Sequence, residues 1–172
     1  MAWLGRERNV ARTLDLKAAL WAGVVAGIVF MLLEMALVAL LQGMSPWAPP
    51  RMIAAIGMGE SVLPPPATFD VAIVSVAMII HFALSMVLAI LLGWGISRFR
   101  LGMAASVVGG ATFGLFVYFV NFYGFTAIFP WFAMARGAIG IFAHAVFGAV
   151  AGGVYCALEL KPLERVNAER TA

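Results

Sequence analysis

Four stretches of this chain, residues 18–42, 71–95, 103–126 and 135–158, are apolar almost throughout and nearly free of charge. Each is longer than the roughly 20 residues that cross the hydrocarbon core of a bilayer. In lipid every backbone N–H and C=O must be satisfied within the protein, so each run reads as a helix. The rest of the chain cannot offset that apolar surface. Hydrophobic residues make up 64% of it and charged residues 11%, against about 25% charged in soluble domains. The expected fold class is therefore an all-α membrane protein, a bundle of four transmembrane helices in one membrane domain, with the lipid bilayer as its surroundings.

The segments between the runs set the topology. Residues 1–17 form a polar arm with Arg6, Arg8, Arg12 and Lys17. The run after it is too long for a signal-peptide core and lacks a small-residue cleavage site, so it reads as an uncleaved first span. Residues 43–70 form the longest polar interruption. Pro46-Trp47 closes the first span, Arg51-Met-Ile-Ala-Ala-Ile-Gly57 can form about two turns of interfacial helix, and Thr68 or Asp70 can cap the second span. Residues 96–102 are a tight basic turn, 127–134 a second aromatic-proline turn, and 159–172 a mixed-charge tail. Lysine and arginine number nine in the arm, the 96–102 turn and the tail, against only two on the opposite side, Arg51 in the 43–70 loop and Arg136 just past the 127–134 turn. By the positive-inside rule both termini are cytoplasmic. This placement also explains the net charge of +3 without a nucleic-acid partner.

Small residues recur at four-residue spacing along the runs and mark the packed faces. The second run carries Ala77, His81, Ser85, Ala89 and Gly93; the last carries Gly140, His144, Gly148 and Gly152. The first contributes Gly23 and Gly27, and the third Ser106, Gly110, Gly114 and Tyr118. The halves also resemble each other. Ala22-Gly-Val-Val-Ala-Gly27 matches Ala105-Ser-Val-Val-Gly-Gly110, Pro46-Trp47 matches Pro130-Trp131, and His81 matches His144. Two spans per copy predict two parallel repeats about an axis along the membrane normal.

Counting 1.5 Å per helical residue, Glu34, His81, Tyr118 and His144 lie about 12–15 Å inside the outer boundary. All four share faces with the small residues, which predicts a polar centre inside the bundle. A charged side chain at mid-span costs about 2.5–3.5 kcal/mol on insertion scales, so such a layer calls for a reason. Three readings follow. The groups can be interhelical hydrogen bonds that fix register, worth about 0.6 kcal/mol each on average. Glu34, His81 and His144 can relay protons or ions in a small transporter or a subunit of one. His81, His144 and Glu34 can hold a metal ion, or the two histidines a haem b. Glycine and alanine at every fourth position favour closely packed helices over a slot for a macrocycle.

The chain has no His-Glu-x-x-His, Cys-x-x-Cys, Gly-x-Ser-x-Gly or phosphate-cradling glycine loop, so no enzymatic activity and no resident cofactor is the leading expectation. Ser85 stands one turn from His81, but nothing marks oxyanion donors beside it. Asn121 reads as an interfacial hydrogen-bonding side chain, and Arg51 and Arg136 as interfacial anchors. Cys156, alone, reads as a small core residue.

Three stretches carry a family likeness: Pro46-Trp-Ala-Pro-Pro-Arg-Met-Ile-Ala-Ala-Ile56, Leu63-Pro-Pro-Pro-Ala-Thr-Phe-Asp70 and Asn121-Phe-Tyr-Gly-Phe-Thr-Ala-Ile-Phe-Pro-Trp-Phe132. With them the chain resembles a group of small four-span bacterial inner-membrane proteins, some loosely labelled sodium:proline symporter. The likeness covers most of residues 20–155. It implies a bacterial inner-membrane location and transfers no functional residues. The symporter label sits badly with four unbroken spans, since such carriers have about a dozen with broken helices. A bundle this narrow is expected to act as a binding or accessory protein, self-associated or within a larger membrane complex.

Overall fold

A computed structural model describes the backbone of residues 13–171 and the side chains of 13–159. Arg6, Glu7, Arg8 and Arg12 of the arm, and the side chains of Lys161, Arg165 and Arg170, lie outside the described residues. The described residues form helices joined by loops, with no strand among them. Helices α1 (Leu16–Gln42), α2 (Ala48–Met58), α3 (Val71–Phe99), α4 (Met103–Phe119) and α5 (Ala138–Thr171) follow in order. Four helical segments are long and apolar enough to cross a membrane: Leu16–Gln42, Val71–Phe99, Met103–Ala127 and Ala138–Glu159.

Local chemistry sets most helix ends. The Asp15 carboxylate accepts from Ala18 N at 2.9 Å and caps α1, which stops where Gly43 turns left-handed at φ 63°. Of the two candidate caps for α3, Asp70 is used: it accepts from Ala72 N and Ile73 N. Two ends differ from the sequence expectation. The basic turn expected over 96–102 shrinks to its last residues, because α3 continues to Phe99 and ends at a left-handed Arg100 with φ 52°. No glycine or proline stands at 96–101 to stop it sooner. Helix α5 begins at Ala138 rather than 135 and runs on through Thr171, across the stretch expected as a tail. That stretch holds one proline, Pro162, which ends nothing in the chain's longest helix.

Helix α2 is longer than the expected 51–57 piece, with Pro49 and Pro50 placed in its first turn where missing N–H groups cost nothing. Its Pro50, Ala54 and Ala55 are buried, and the helix packs along α3. The loop is tied down further by Ser45 Oγ, which donates to the Ala67 carbonyl, and by Trp131 Nε1, which donates to Met52 O at 3.1 Å. Arg51, expected as an anchor, donates from Nε to Thr68 O at 3.1 Å and from Nη1 to Val62 O at 2.9 Å. It holds the return strand of the loop against α2. Arg51→Ala is expected to cost about 1–2 kcal/mol locally and to speed proteolytic cleavage within residues 59–70, leaving the spans protected.

The spans do not close into a square. Helices α1, α3 and α5 pack against one another, whereas α4 lies on α5 and hardly touches α3. The buried apolar residues form two clusters. One joins Ala18, Ala22, Ala26, Ala89, Leu92, Ile96, Phe147, Ala151 and Tyr155 near the α1 start. The other joins Ala54, Ala55, Ile73, Ala77, Tyr118, Phe122, Trp131 and Phe132 near the α3 start. The histidines sit between them.

Candidate intramembrane polar site

The α3 ridge is buried along its full length, at Ala77, His81, Ser85, Ala89 and Gly93. Its partner is α1, admitted by two glycines. A β-carbon on Gly23 would stand 2.7 Å from Met86 Cα, and one on Gly27 would stand 2.9 Å from Ser85 Oγ. That approach brings His81 Nε2 to 2.9 Å from Gly27 O. A carbonyl only accepts, so Nε2 carries the proton.

His144 is held by its own helix and by α4. Nδ1 donates to Gly140 O at 2.8 Å, which leaves Nε2 as an acceptor for Asn121 Nδ2 at 3.5 Å. Asn121, read from sequence as interfacial, belongs to this centre. It stands in a π-helical turn, Val120–Gly124, that widens the end of α4. Such single-turn insertions change which side chains face inward, and nothing in the local sequence announces them.

Phe30 of α1 packs against both imidazoles. Its ring stacks on His81 at 5.6 Å and meets His144 edge-on at 4.9 Å. The rings of Tyr118 and Phe122 meet His144 edge-on, at 5.6 Å and 5.3 Å. The Tyr118 hydroxyl points elsewhere and accepts from Gly137 N at 3.0 Å. A β-carbon on Gly140 would stand 3.0 Å from the Tyr118 ring, so this glycine makes room for it. Ser85 is buried beneath Gly27, and no hydrogen bond joins it to His81.

These residues do not fit the cofactors considered. A metal ion needs imidazole lone pairs converging on one point about 2.0–2.1 Å from each nitrogen. His81 Nε2 and both His144 nitrogens are already engaged, and the Phe30 ring packs against both imidazoles. Among the described residues no group of three His, Cys, Asp or Glu side chains is gathered. A haem held by two histidines needs a free nitrogen on each, and both His144 nitrogens are engaged.

Glu34 stands apart from the other three. It is half-buried, on the packed face of α1 between buried Met31 and Val38, and one turn beyond Phe30. Among the described residues it has neither a hydrogen-bond nor an ion-pair partner, so the expected four-residue layer divides. His81, His144 and the Tyr118 ring gather around Phe30; the Glu34 carboxylate does not join them. Arg136, expected as an interfacial anchor, is tied down within the protein. Its Nε donates to Phe122 O at 2.8 Å, its Nη2 to Thr126 Oγ1 at 3.3 Å, and its plane lies over Tyr123 at 4.3 Å. It satisfies a carbonyl that the π turn exposes.

A second polar cluster was not anticipated. The Asp15 backbone N–H donates to Tyr155 OH at 3.1 Å; Tyr155 OH and Ser97 Oγ are hydrogen-bonded; and Ser97 Oγ donates to Glu159 Oε1 at 2.7 Å. The network joins the first residues of α1 to α3 and α5. Its signal was present in part, since Ser97 is the next four-residue step after Gly93 on the α3 ridge. Tyr155 and Glu159 lie on a ridge with Phe147 and Ala151, beside the one that carries His144.

The class these elements define is an integral membrane protein with four apolar helices long enough to span. Compared with protein families, curated proteins and solved structures, the chain matches none of them.

Proposed function

We propose that this chain is a multi-pass bacterial inner-membrane protein of binding or accessory type, without enzymatic activity, in which the two histidines fix helix register. The observation that carries this reading is the engagement of His144 at both nitrogens, with Phe30 packed against its ring and against that of His81. A proton relay needs a group that can take and release a proton along a hydrogen-bonded path. The histidines here bond to carbonyls and Asn121, and no bond links them to Glu34. The cytoplasmic placement of both termini is supported by nine of the eleven lysines and arginines. The duplicated two-span unit is supported by the paired Pro-Trp turns and histidines. Association with a second copy or a larger membrane protein belongs to the same reading, because α4 packs almost wholly on α5 and leaves its other faces open.

Purified protein tests it. The absorption spectrum is expected to lack a Soret band, metal analysis to give well under one ion per chain, and proteoliposomes to pass protons and sodium no faster than empty vesicles. His81→Ala and His144→Ala are expected to lower thermal stability and leave all three readouts unchanged. A stoichiometric metal or haem lost with His144→Ala, or a sodium or proton flux lost with Glu34→Gln, would overturn the reading.

A further inference from the structure

We propose that two copies of this chain associate in the membrane, α4 of each packing on α3 of the other. This rests on the reading of the chain as a duplicated two-span unit, and it names the partner and the surface. Under that duplication the seams within each helix pair correspond position by position. Gly23 and Gly27 of α1 meet α3 at Ser85 and Met86. Their counterparts in the second unit, Ser106 and Gly110 of α4, meet α5 at Gly152 and Gly148.

A further contact, between the two units, is made on one side only. The adjoining face of α1, with Ala22, Ala26 and Phe30, packs on Phe147, Ala151 and Tyr155 of α5, and all but Phe30 are fully or nearly fully buried. The corresponding residues are Ala105, Gly109 and Phe113 on α4, and Leu84, Leu88 and Leu92 on α3. These two faces do not meet within the chain. Ala105 is exposed, Leu84 is 50% exposed, and a β-carbon on Gly109 would meet only Leu101 Cδ1 at 3.9 Å. Helices α3 and α4 hardly touch, although only residues 100–102 join them.

A second copy related by a two-fold axis supplies both missing faces at once. Its α4 meets this α3, its α3 meets this α4, and the arrangement closes as a dimer. The α1–α5 contact is the template for the pairing: small residues on one helix let the backbones approach, and larger apolar side chains on the other fill the groove. Volume is also shared in a compensating way. Gly109 is smaller than its counterpart Ala26, and Leu88 is larger than its counterpart Ala151. Neither face carries a charge, so nothing opposes their burial against each other.

The test uses the full chain in lipid vesicles, with energy transfer between labelled copies followed as the protein is diluted in lipid. Dimers are expected. Gly109→Leu should raise the dissociation constant at least tenfold while the thermal transition stays cooperative, since its side chain enters open space in the single chain. Gly109→Ala, which reproduces Ala26 of the template contact, should keep the dimer. Chains carrying Gly109→Cys, mixed with chains carrying Leu84→Cys or Leu88→Cys, should form an interchain disulfide on oxidation, and each chain alone should form far less. Monomers at every dilution overturn the proposal, with lipid covering both faces. So does a dimer that Gly109→Leu leaves unchanged, or a disulfide that forms within one doubly substituted chain and not between chains. Any of these outcomes leaves the haem, metal and flux measurements intact, so the two readings fall separately.

Discussion

Leucine in place of Gly148 is expected to leave α4 and α5 unable to pack. Gly110 and Gly114 of α4 face Gly148 and Gly152 of α5 with backbone against backbone. A β-carbon built on Gly148 would overlap the Gly110 carbonyl and stand 2.9 Å from Gly114 N. One on Gly114 would overlap the His144 carbonyl, and one on Gly152 the Ser106 carbonyl. The obstruction is main chain, so no rotamer change relieves it; the helices must separate. In soluble cores added bulk costs about 1–3 kcal/mol because neighbours yield. Here separation forfeits close contact along the whole seam, and between spans that contact is most of what holds them, since lipid supplies no hydrophobic drive. A loss above about 3 kcal/mol is expected, a large share of a typical folding free energy of 5–15 kcal/mol. Gly148→Ala should fall partway. Gly109→Ala is the control: its β-carbon would meet only Leu101 Cδ1 at 3.9 Å, and a change below about 0.5 kcal/mol is expected. Thermal unfolding in detergent ranks the three. Equal stability of Gly148→Leu and Gly109→Ala would sink the backbone-contact assignment.

The same seam shows what the sequence could and could not convey. Four-residue spacing identifies a buried ridge, and every member of the His81 and His144 ridges is indeed buried. Spacing does not say which helix the ridge meets. The α5 glycines serve α4, while the residues beside them, Phe147, Ala151 and Tyr155, serve α1 and α3. Depth counting placed Glu34, His81, Tyr118 and His144 in one layer, but a common depth is not a common site. No hydrogen bond joins the histidines, which both pack on Phe30; the Tyr118 hydroxyl serves Gly137, and Glu34 has no partner among them. A phenylalanine inside an apolar run carries no periodic signal, so Phe30 could not be singled out. Asn121 was misjudged because the π turn changes the phase of α4 where the depth count assumed a regular helix. Helix ends were the least legible. Arg98 and Arg100 marked a polar boundary, yet α3 ends only at Arg100, since charge signals membrane exit and does not stop a helix.

Removing the Tyr155 ring is expected to give the other large loss, and Gly93 supplies an internal check on its cause. Tyr155 is fully buried, and its ring fills the space left by Gly93 on α3: a β-carbon there would stand 2.7 Å from Cε2 and 2.9 Å from Cδ2. Large-to-small substitution at a buried aromatic costs about 3–5 kcal/mol, because the void leaves its lining without contacts. Tyr155→Ala should reach that range. Tyr155→Phe keeps the ring and removes only the hydroxyl that accepts from Asp15 N and bonds Ser97. Interhelical hydrogen bonds average about 0.6 kcal/mol in membranes, and a buried donor left unmade costs about 1–3 kcal/mol. Ser97 retains Glu159 as its acceptor, so Tyr155→Phe should lose about 1 kcal/mol, and packing outweighs the hydroxyl. Gly93→Val alone is overpacked and should cost about 1–3 kcal/mol. Combined with Tyr155→Ala, the same valine enters the vacated space and should recover at least about 1 kcal/mol, a coupling of opposite sign to the single change. If Gly93→Val costs as much beside alanine as beside tyrosine, the ring does not occupy the glycine's space, and the large loss at Tyr155 needs another cause.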